Sequence, residues 1–150
     1  MPNKSLLLTL LIVCSMWMLQ PGWSATGMSI GGRQSAAAKY TGLWSGSYKT
    51  ENGGSGDLAF NLSQDEKGQW RGQVKFTNND GPQQADFKTL QIADGKMKGK
   101  MESPDGQVEV TIEGQFEGEK LEGSYAVIPK GSTEVIEKGT WKTSKSAAAK

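Results

Sequence analysis

The sequence of 150 residues contains no histidine and only one cysteine. Without histidine the chain cannot form Ser-His-Asp or Cys-His catalytic groups, and it cannot ligate zinc or haem through imidazole. Lysine and arginine number 17 against 16 aspartates and glutamates, so the chain lacks the basic excess with which proteins neutralise nucleic-acid phosphates. We therefore expect no enzymatic activity, no cofactor, no metal site and no nucleic-acid partner.

Long hydrophobic runs are absent apart from one segment near the N-terminus. Lys4 precedes an apolar-rich stretch at residues 6–19, which ends at Gln20-Pro21-Gly22. This three-part pattern is typical of a secretory signal peptide, and about 14 residues are too few for a transmembrane helix, which needs roughly 20. The sequence predicts a cleavable signal helix at residues 1–25, cut between positions 24 and 27. We expect a periplasmic or secreted protein with no stable membrane insertion after cleavage.

The single cysteine, Cys14, lies within this segment, so no disulfide bond is expected in the exported chain. Residues 26–39 and 144–150 are small and polar with no periodicity. Such segments at the ends of a domain are commonly disordered, and we predict a disordered linker and a disordered tail there. The folded domain predicted between them is a β-barrel domain at residues 40–143.

Between the two tails, apolar and polar residues alternate with a period of two, which is typical of half-buried β-strands. Seven turn signals, spaced about 11–14 residues apart, divide this region into eight strands. Turns this short join antiparallel neighbours. The turn signals are Gly53-Gly54, Lys67-Gly68, Gly81-Pro82, Asp94-Gly95, Asp105-Gly106, Glu117-Gly118-Glu119 and Gly131-Ser132.

Turn chemistry and the apolar pattern together predict strand registers. A two-residue turn between the fourth and fifth strands sets Ile92 opposite Met97 on the apolar face. The turn between the sixth and seventh strands likewise sets Phe116 opposite Leu121. The apolar residues of the fourth strand change parity along its length, which predicts a β-bulge near Lys88-Thr89.

An open eight-stranded meander would expose the edges of its first and last strands, whereas closure into a barrel removes both edges. The first strand carries Gly42-Leu43-Trp44 and the last carries Gly139-Thr140-Trp141, and we expect these two strands to pair. The predicted fold is all-β, an eight-stranded antiparallel up-and-down β-barrel. Trp44 and Trp141 are expected at the same end of its interior.

A glycine between two large apolar residues recurs in five strands. Two interpretations are open: the glycines let strongly coiled strands bend, or their missing side chains leave a hollow for a ligand. The segments are Trp44-Ser-Gly46-Ser-Tyr48, Trp70-Arg-Gly72-Gln-Val74, Met97-Lys-Gly99-Lys-Met101, Ile112-Glu-Gly114-Gln-Phe116 and Leu121-Glu-Gly123-Ser-Tyr125.

The inward positions of the strands are almost wholly apolar, and the one charged residue among them is Glu137, between Val135 and Gly139. Either Glu137 lies at the barrel rim, or the last strand slips so that Ile136 faces inward, or Glu137 is a buried carboxylate that orients a ligand. The candidate ligand-binding residues of the interior are Trp44, Tyr48, Phe60, Trp70, Phe76, Met97, Met101, Tyr125, Glu137 and Trp141.

A barrel wall with one charged and one apolar face has two possible orientations: the charged face can point outward to water, or the apolar face can point outward to lipid. Three features favour an apolar interior and a wall that faces water. The polar face is too highly charged for the lumen of a small barrel, and the aromatic residues occur in mid-strand rather than in two girdles. The last strand ends in Lys142-Thr143 rather than in an aromatic residue.

The segment Tyr40-Thr41-Gly42-Leu43-Trp44 resembles the opening strand of lipocalins and avidins, and Gly139-Thr140-Trp141 is similar to their tryptophan-bearing closing strands. This resemblance to calycin-type meander barrels implies an up-and-down barrel with a ligand-binding role. It does not imply biotin, because the Asn, Ser, Tyr and Asp residues with which avidins hold biotin cannot be placed on these strands.

We expect an exported small β-barrel that binds a small apolar ligand in its interior, which is rich in aromatic residues, methionine and glycine. The alternative is a protein-interaction module, such as an inhibitor or an envelope-assembly factor, whose barrel is filled and holds no ligand. Eight strands enclose a space that side chains can fill. The volume left open inside the barrel therefore distinguishes the two.

Overall fold

The computed structural model describes residues 37–147, and the predicted signal peptide lies outside this range. Eight antiparallel strands follow one another in a closed barrel, each paired with its sequence neighbours, and a single helical turn at residues 37–40 precedes them. The strands are β1 (Gly42–Thr50), β2 (Ser55–Gln64), β3 (Trp70–Asn78), β4 (Gly81–Ala93), β5 (Lys96–Glu102), β6 (Val108–Glu117), β7 (Lys120–Pro129) and β8 (Glu137–Lys145). The predicted all-β up-and-down barrel is confirmed.

The barrel closes because β1 pairs with β8, as expected, from Trp44 opposite Lys145 to Thr50 opposite Gly139. Strand β8 begins only at Glu137, so Val135 and Ile136 precede it in the β7–β8 connection. Their side chains are 45% and 56% exposed. The expected inward position of Val135 is therefore wrong, and so is the slip that would have turned Ile136 inward.

The registers predicted from the turns are confirmed. Ile92 lies opposite Met97 and Phe116 lies opposite Leu121. The Asp94-Gly95 turn has positive φ at both residues, 52° and 74°, as the tight turns that suit twisted hairpins require. The register of β4 against β5 shifts between Phe87 and Thr89, which is the predicted bulge.

The helical turn covers one end of the barrel, which we call the closed end. The ring of Tyr40 packs 4.4 Å from that of Phe116 and 6.4 Å from that of Trp70, and Trp44 Nε1 donates a 3.0 Å hydrogen bond to the Tyr40 carbonyl. Lys145 Nζ donates to the two backbone carbonyls of residues 38 and 39. The opposite end, which carries the β1–β2, β3–β4, β5–β6 and β7–β8 connections, is the open end.

The two tryptophans do not share one end of the interior, contrary to the expectation. The register sets Lys145 opposite Trp44 and places Trp141 opposite Tyr48, four residues further along β1. Four strand residues span about 13 Å. Trp44 therefore packs on Phe116 at the closed end, whereas Trp141 lies at mid-height.

The glycines of the recurring motif fit the structural interpretation. A Cβ atom on Gly46 or Gly123 would collide with a backbone carbonyl oxygen of the neighbouring strand. At Gly99 and Gly114 the space that a side chain would take is filled by the rings of Phe87 and Trp141. These glycines permit close strand packing and seat aromatic rings, and they do not create a hollow.

We expect Gly123→Ala to destabilise the barrel by about 3 kcal/mol, since its Cβ would meet the fixed backbone of Glu113 and Gly114. Gly72→Ala is the matched control, because the nearest atoms are the movable side-chain ends of Phe87 and Leu90, at 2.9 and 3.0 Å. It should cost about 1 kcal/mol. Urea unfolding measures both values, and equal losses would contradict the distinction.

Closure predicts a sharp effect of truncation. A chain ending at Lys138 loses the strand that joins β7 to β1, and we expect it to aggregate because two edges are exposed. A chain ending at Ala147 keeps all of β8 and should stay monomeric and cooperatively folded. Size-exclusion chromatography with light scattering compares the two, and a folded monomer from the shorter chain would rule out the closed barrel.

Candidate functional site

A cavity of about 250 Å³ enters the barrel interior from the open end. Its inner wall is apolar and its rim is polar. The apolar lining consists of Leu58, Phe76, Met101, Val110, Ile112, Val127 and Trp141. The polar lining consists of Tyr48, Thr50, Ser55, Asn78, Asn79, Tyr125 and Glu137, with Gly54 beside them.

The β1–β8 and β7–β8 ladders bring the aromatic and acidic residues of this cavity together. Tyr48 lies opposite Trp141 across one ladder, and Val127 lies opposite Glu137 across the other. Gly139 lies opposite Tyr125, and a Cβ atom there would come within 2.7 Å of the Tyr125 ring. A Cβ atom on Gly56 would likewise come within 2.7 Å of the Tyr48 ring. Gly56 and Gly139 thus leave room for the two tyrosine rings at the mouth of the barrel.

Tyr48, Tyr125 and Glu137 form a polar group at this mouth, which we call the tyrosine–glutamate cluster. Tyr125 Oη donates a 2.9 Å hydrogen bond to Glu137 Oε1. Tyr48 Oη donates a 2.9 Å hydrogen bond to the carbonyl of Thr77. The two rings meet edge to face, with centroids 6.0 Å apart and planes at 88°, which is a favourable geometry for an aromatic pair.

The environment keeps both phenols protonated. Burial raises the pKa of Tyr125, and the hydrogen bond to Glu137 raises this pKa further. The pKa of Tyr48 is raised by burial and then by the negative charge of Glu137. At neutral pH the cluster therefore presents two phenols that act as donors and one carboxylate that accepts.

Six of the ten predicted binding residues line the cavity: Tyr48, Phe76, Met101, Tyr125, Glu137 and Trp141. Glu137 lines the cavity near its rim, which agrees with the first interpretation of this residue. Its side chain is only partly buried.

The other four predicted residues lie outside the cavity. Trp44, Phe60 and Met97 have no exposed surface and belong to the packed core, where Phe60 stacks on Phe87 and meets Trp141 edge to face. Trp70 is half-buried at the closed end beside Tyr40. The helical turn and the large side chains beneath it fill this half of the barrel, so inward residues there pack on one another.

Nine cavity residues were not predicted as binding residues; one of them, Gly54, lies in the turn between β1 and β2. Four of them, Leu58, Val110, Ile112 and Val127, have inward parity, so the pattern could have identified them. The polar rim residues Thr50, Ser55, Asn78 and Asn79 lie at strand ends and turns, where parity gives no signal.

Within residues 37–147, no group of three or more His, Cys, Asp or Glu side chains is placed to hold a metal ion. No helix in the same part of the chain is both long and apolar enough to cross a membrane.

No protein-family model matches the chain, and no curated protein matches it at a significant level. The closed antiparallel barrel of eight strands is compatible with a calycin-like fold.

Removal of the Glu137 charge should make the tyrosines easier to ionise. In Glu137→Gln the pKa of Tyr125 and that of Tyr48 should fall, because the carboxylate that opposes a phenolate is gone. An absorbance titration at a tyrosinate wavelength should therefore reach its midpoint at a lower pH. Glu51→Gln, on the outer wall, is the control and should leave the titration unchanged.

The same pKa shifts predict how stability changes in alkali. The folded-state pKa of both tyrosines lies above the unfolded value of about 10, so the folded state holds these protons more tightly. Their contribution to stability is complete below about pH 10 and is lost as the pH rises through the folded-state pKa. Unfolding free energies that stay constant or rise above this pH would contradict the assignment.

Proposed function

We propose that this chain is an exported, calycin-like binding protein that holds a small apolar ligand in the cavity at the open end. The observation that carries the proposal is the cavity itself: the barrel fills its closed half with its own side chains but leaves about 250 Å³ open in the other half. Its inner wall is apolar, as the walls of ligand sites commonly are.

The size of the cavity limits the size of the ligand. A dry apolar cavity of about 150 Å³ holds one benzene molecule, and pockets for drug-sized ligands begin at about 300 Å³. The space of about 250 Å³ therefore suits a molecule with one ring or a short branched chain. Met101 in the wall can adapt its shape to such a ligand because its side chain is unbranched and flexible.

Binding without turnover is the activity that this site supports best. The two phenols are held in their protonated form, and the lining adds only one carboxylate to them. We propose no catalytic role, no cofactor and no nucleic-acid partner for this chain.

Export to the periplasm or the exterior is part of the proposal and rests on the signal-peptide pattern at residues 1–25. The outer wall supports a barrel that faces water after cleavage. It carries cross-strand ion pairs at Lys98–Glu113 and Lys100–Glu109, with N–O distances of 3.2 and 3.1 Å.

A second candidate function, as a protein-interaction module, is favoured by one feature of the open end. Val135 and Ile136 expose apolar surface beside the cavity mouth, where a partner protein could contact them. Ligand occupancy separates the two candidates, because an interaction module needs no ligand in the barrel.

The proposed function predicts saturable binding of toluene, chosen as an apolar probe that the cavity can enclose. Val127→Trp places a large side chain in the cavity and should abolish binding. Ser124→Trp is the matched control, since it adds the same side chain to an exposed position of the same strand. NMR shifts of the Met101 methyl group report binding, and thermal unfolding checks that both variants fold.

Saturable shifts in the parent chain and in Ser124→Trp, with none in Val127→Trp, would support a ligand site in the cavity. An unchanged Met101 signal at saturating toluene would contradict the proposed function and favour the interaction module.

A further inference from the structure

Glu137 brings a negative charge to a cavity whose other lining residues are all uncharged at neutral pH. Among the ion pairs within residues 37–147, none involves Glu137. Two lysines at the same end of the barrel pair with other carboxylates, Lys138 with Glu51 at 3.3 Å and Lys130 with Glu102 at 3.6 Å. Residues 37–147 therefore give this carboxylate a hydrogen bond through Tyr125 but form no ion pair with it.

Two aromatic rings, those of Tyr48 and Tyr125, lie in the same cluster as the carboxylate. The Tyr48 and Tyr125 rings stand at 88° to each other, and Trp141 lines the same cavity. Aromatic faces attract cations, because the π-electron density of a ring is negative above its plane. A carboxylate beside two perpendicular tyrosine rings is a favourable setting for an ammonium group.

We propose that the ligand is a protonated organic amine, whose ammonium group lies against Glu137 and the rings of Tyr48 and Tyr125 while its apolar body fills the cavity. This inference rests on the proposed function and specifies the chemical class of the ligand. An ammonium group brings both the donors and the charge that the carboxylate lacks.

The same charge disfavours other apolar ligands. An anionic ligand, such as the carboxylate of a short fatty acid, would be repelled by Glu137 at the mouth. A neutral ligand of the same shape would bury the carboxylate further, and even a hydroxyl group would replace only one hydrogen bond to water and would leave the charge uncompensated. The cavity is therefore expected to rank ligands of equal size by charge, in the order cation, neutral molecule, anion.

Three probes with the same phenyl body and similar size test this order: 2-phenylethylamine, 2-phenylethanol and 3-phenylpropionate. Calorimetric titration at neutral pH should give the amine an affinity about tenfold higher than that of the alcohol, as one charge-assisted hydrogen bond provides. The propionate should bind more weakly than the alcohol.

Glu137→Gln keeps the size of the side chain and an acceptor for Tyr125 but removes the charge. In this variant the tenfold preference for the amine should disappear, so that the amine and the alcohol bind with about equal affinity. Glu51→Gln is the matched control, because it removes a charge at the same end that is already paired on the outer wall. It should leave all three affinities as they are, and thermal unfolding verifies that both variants fold.

The outcomes separate this inference from the proposed function. If the alcohol or the propionate binds as tightly as the amine, the inference is wrong but the ligand site stands. An amine preference that survives Glu137→Gln overturns the role of this carboxylate. If toluene binds but none of the three probes does, the inference fails and the proposed function stands; if toluene does not bind either, both fail.

Discussion

The pairing of β1 with β8 is the interaction on which the rest of the structure depends. No turn enforces this contact, since the two strands lie at opposite ends of the chain, and its backbone hydrogen bonds remove the only two edges of the meander. The same ladder sets Tyr48 opposite Trp141. Without it, neither the cavity wall nor the tyrosine–glutamate cluster would exist.

Closure also explains why the barrel is filled in one half and open in the other. At the closed end, β8 extends to Lys145, whose ammonium group donates hydrogen bonds to two carbonyl groups of the helical turn. These bonds fix the turn on the barrel, where the ring of Tyr40 packs on that of Phe116. The inward residues below are large and fully buried. At the open end no helical turn from the described part of the chain covers the interior. The smaller side chains of Val110 and Val127 lie opposite each other across the β6–β7 ladder there, so space remains.

The local parts of this fold could be predicted from the sequence because each depends on neighbouring residues. Turn length fixed the pairing of Ile92 with Met97, and a change of parity revealed the bulge at Lys88. The β1–β8 register could not be obtained in this way, because it depends on the stagger accumulated around all eight strands. The relative heights of Trp44 and Trp141 follow from that register, and their expected positions were wrong for this reason.

The candidate site could be predicted only in part, because parity along a strand is local information and the cavity depends on the closed barrel. Inward parity identified Tyr125 and Glu137, but it could not show that Gly139 makes room for the tyrosine ring. Nor could parity show that the helical turn closes one end and leaves Trp70 outside the cavity. The rim residues depend on where the turns meet after closure, which is a property of the whole barrel.

The most direct test of this account is the measurement of nuclear Overhauser effects between β1 and β8 in the chain that begins at residue 26. The closed barrel should give cross-strand contacts from Trp44–Lys145 to Thr50–Gly139, together with contacts between the ring protons of Tyr48 and Tyr125. A folded monomer in which β1 and β8 show no mutual contacts, or pair in another register, would contradict it.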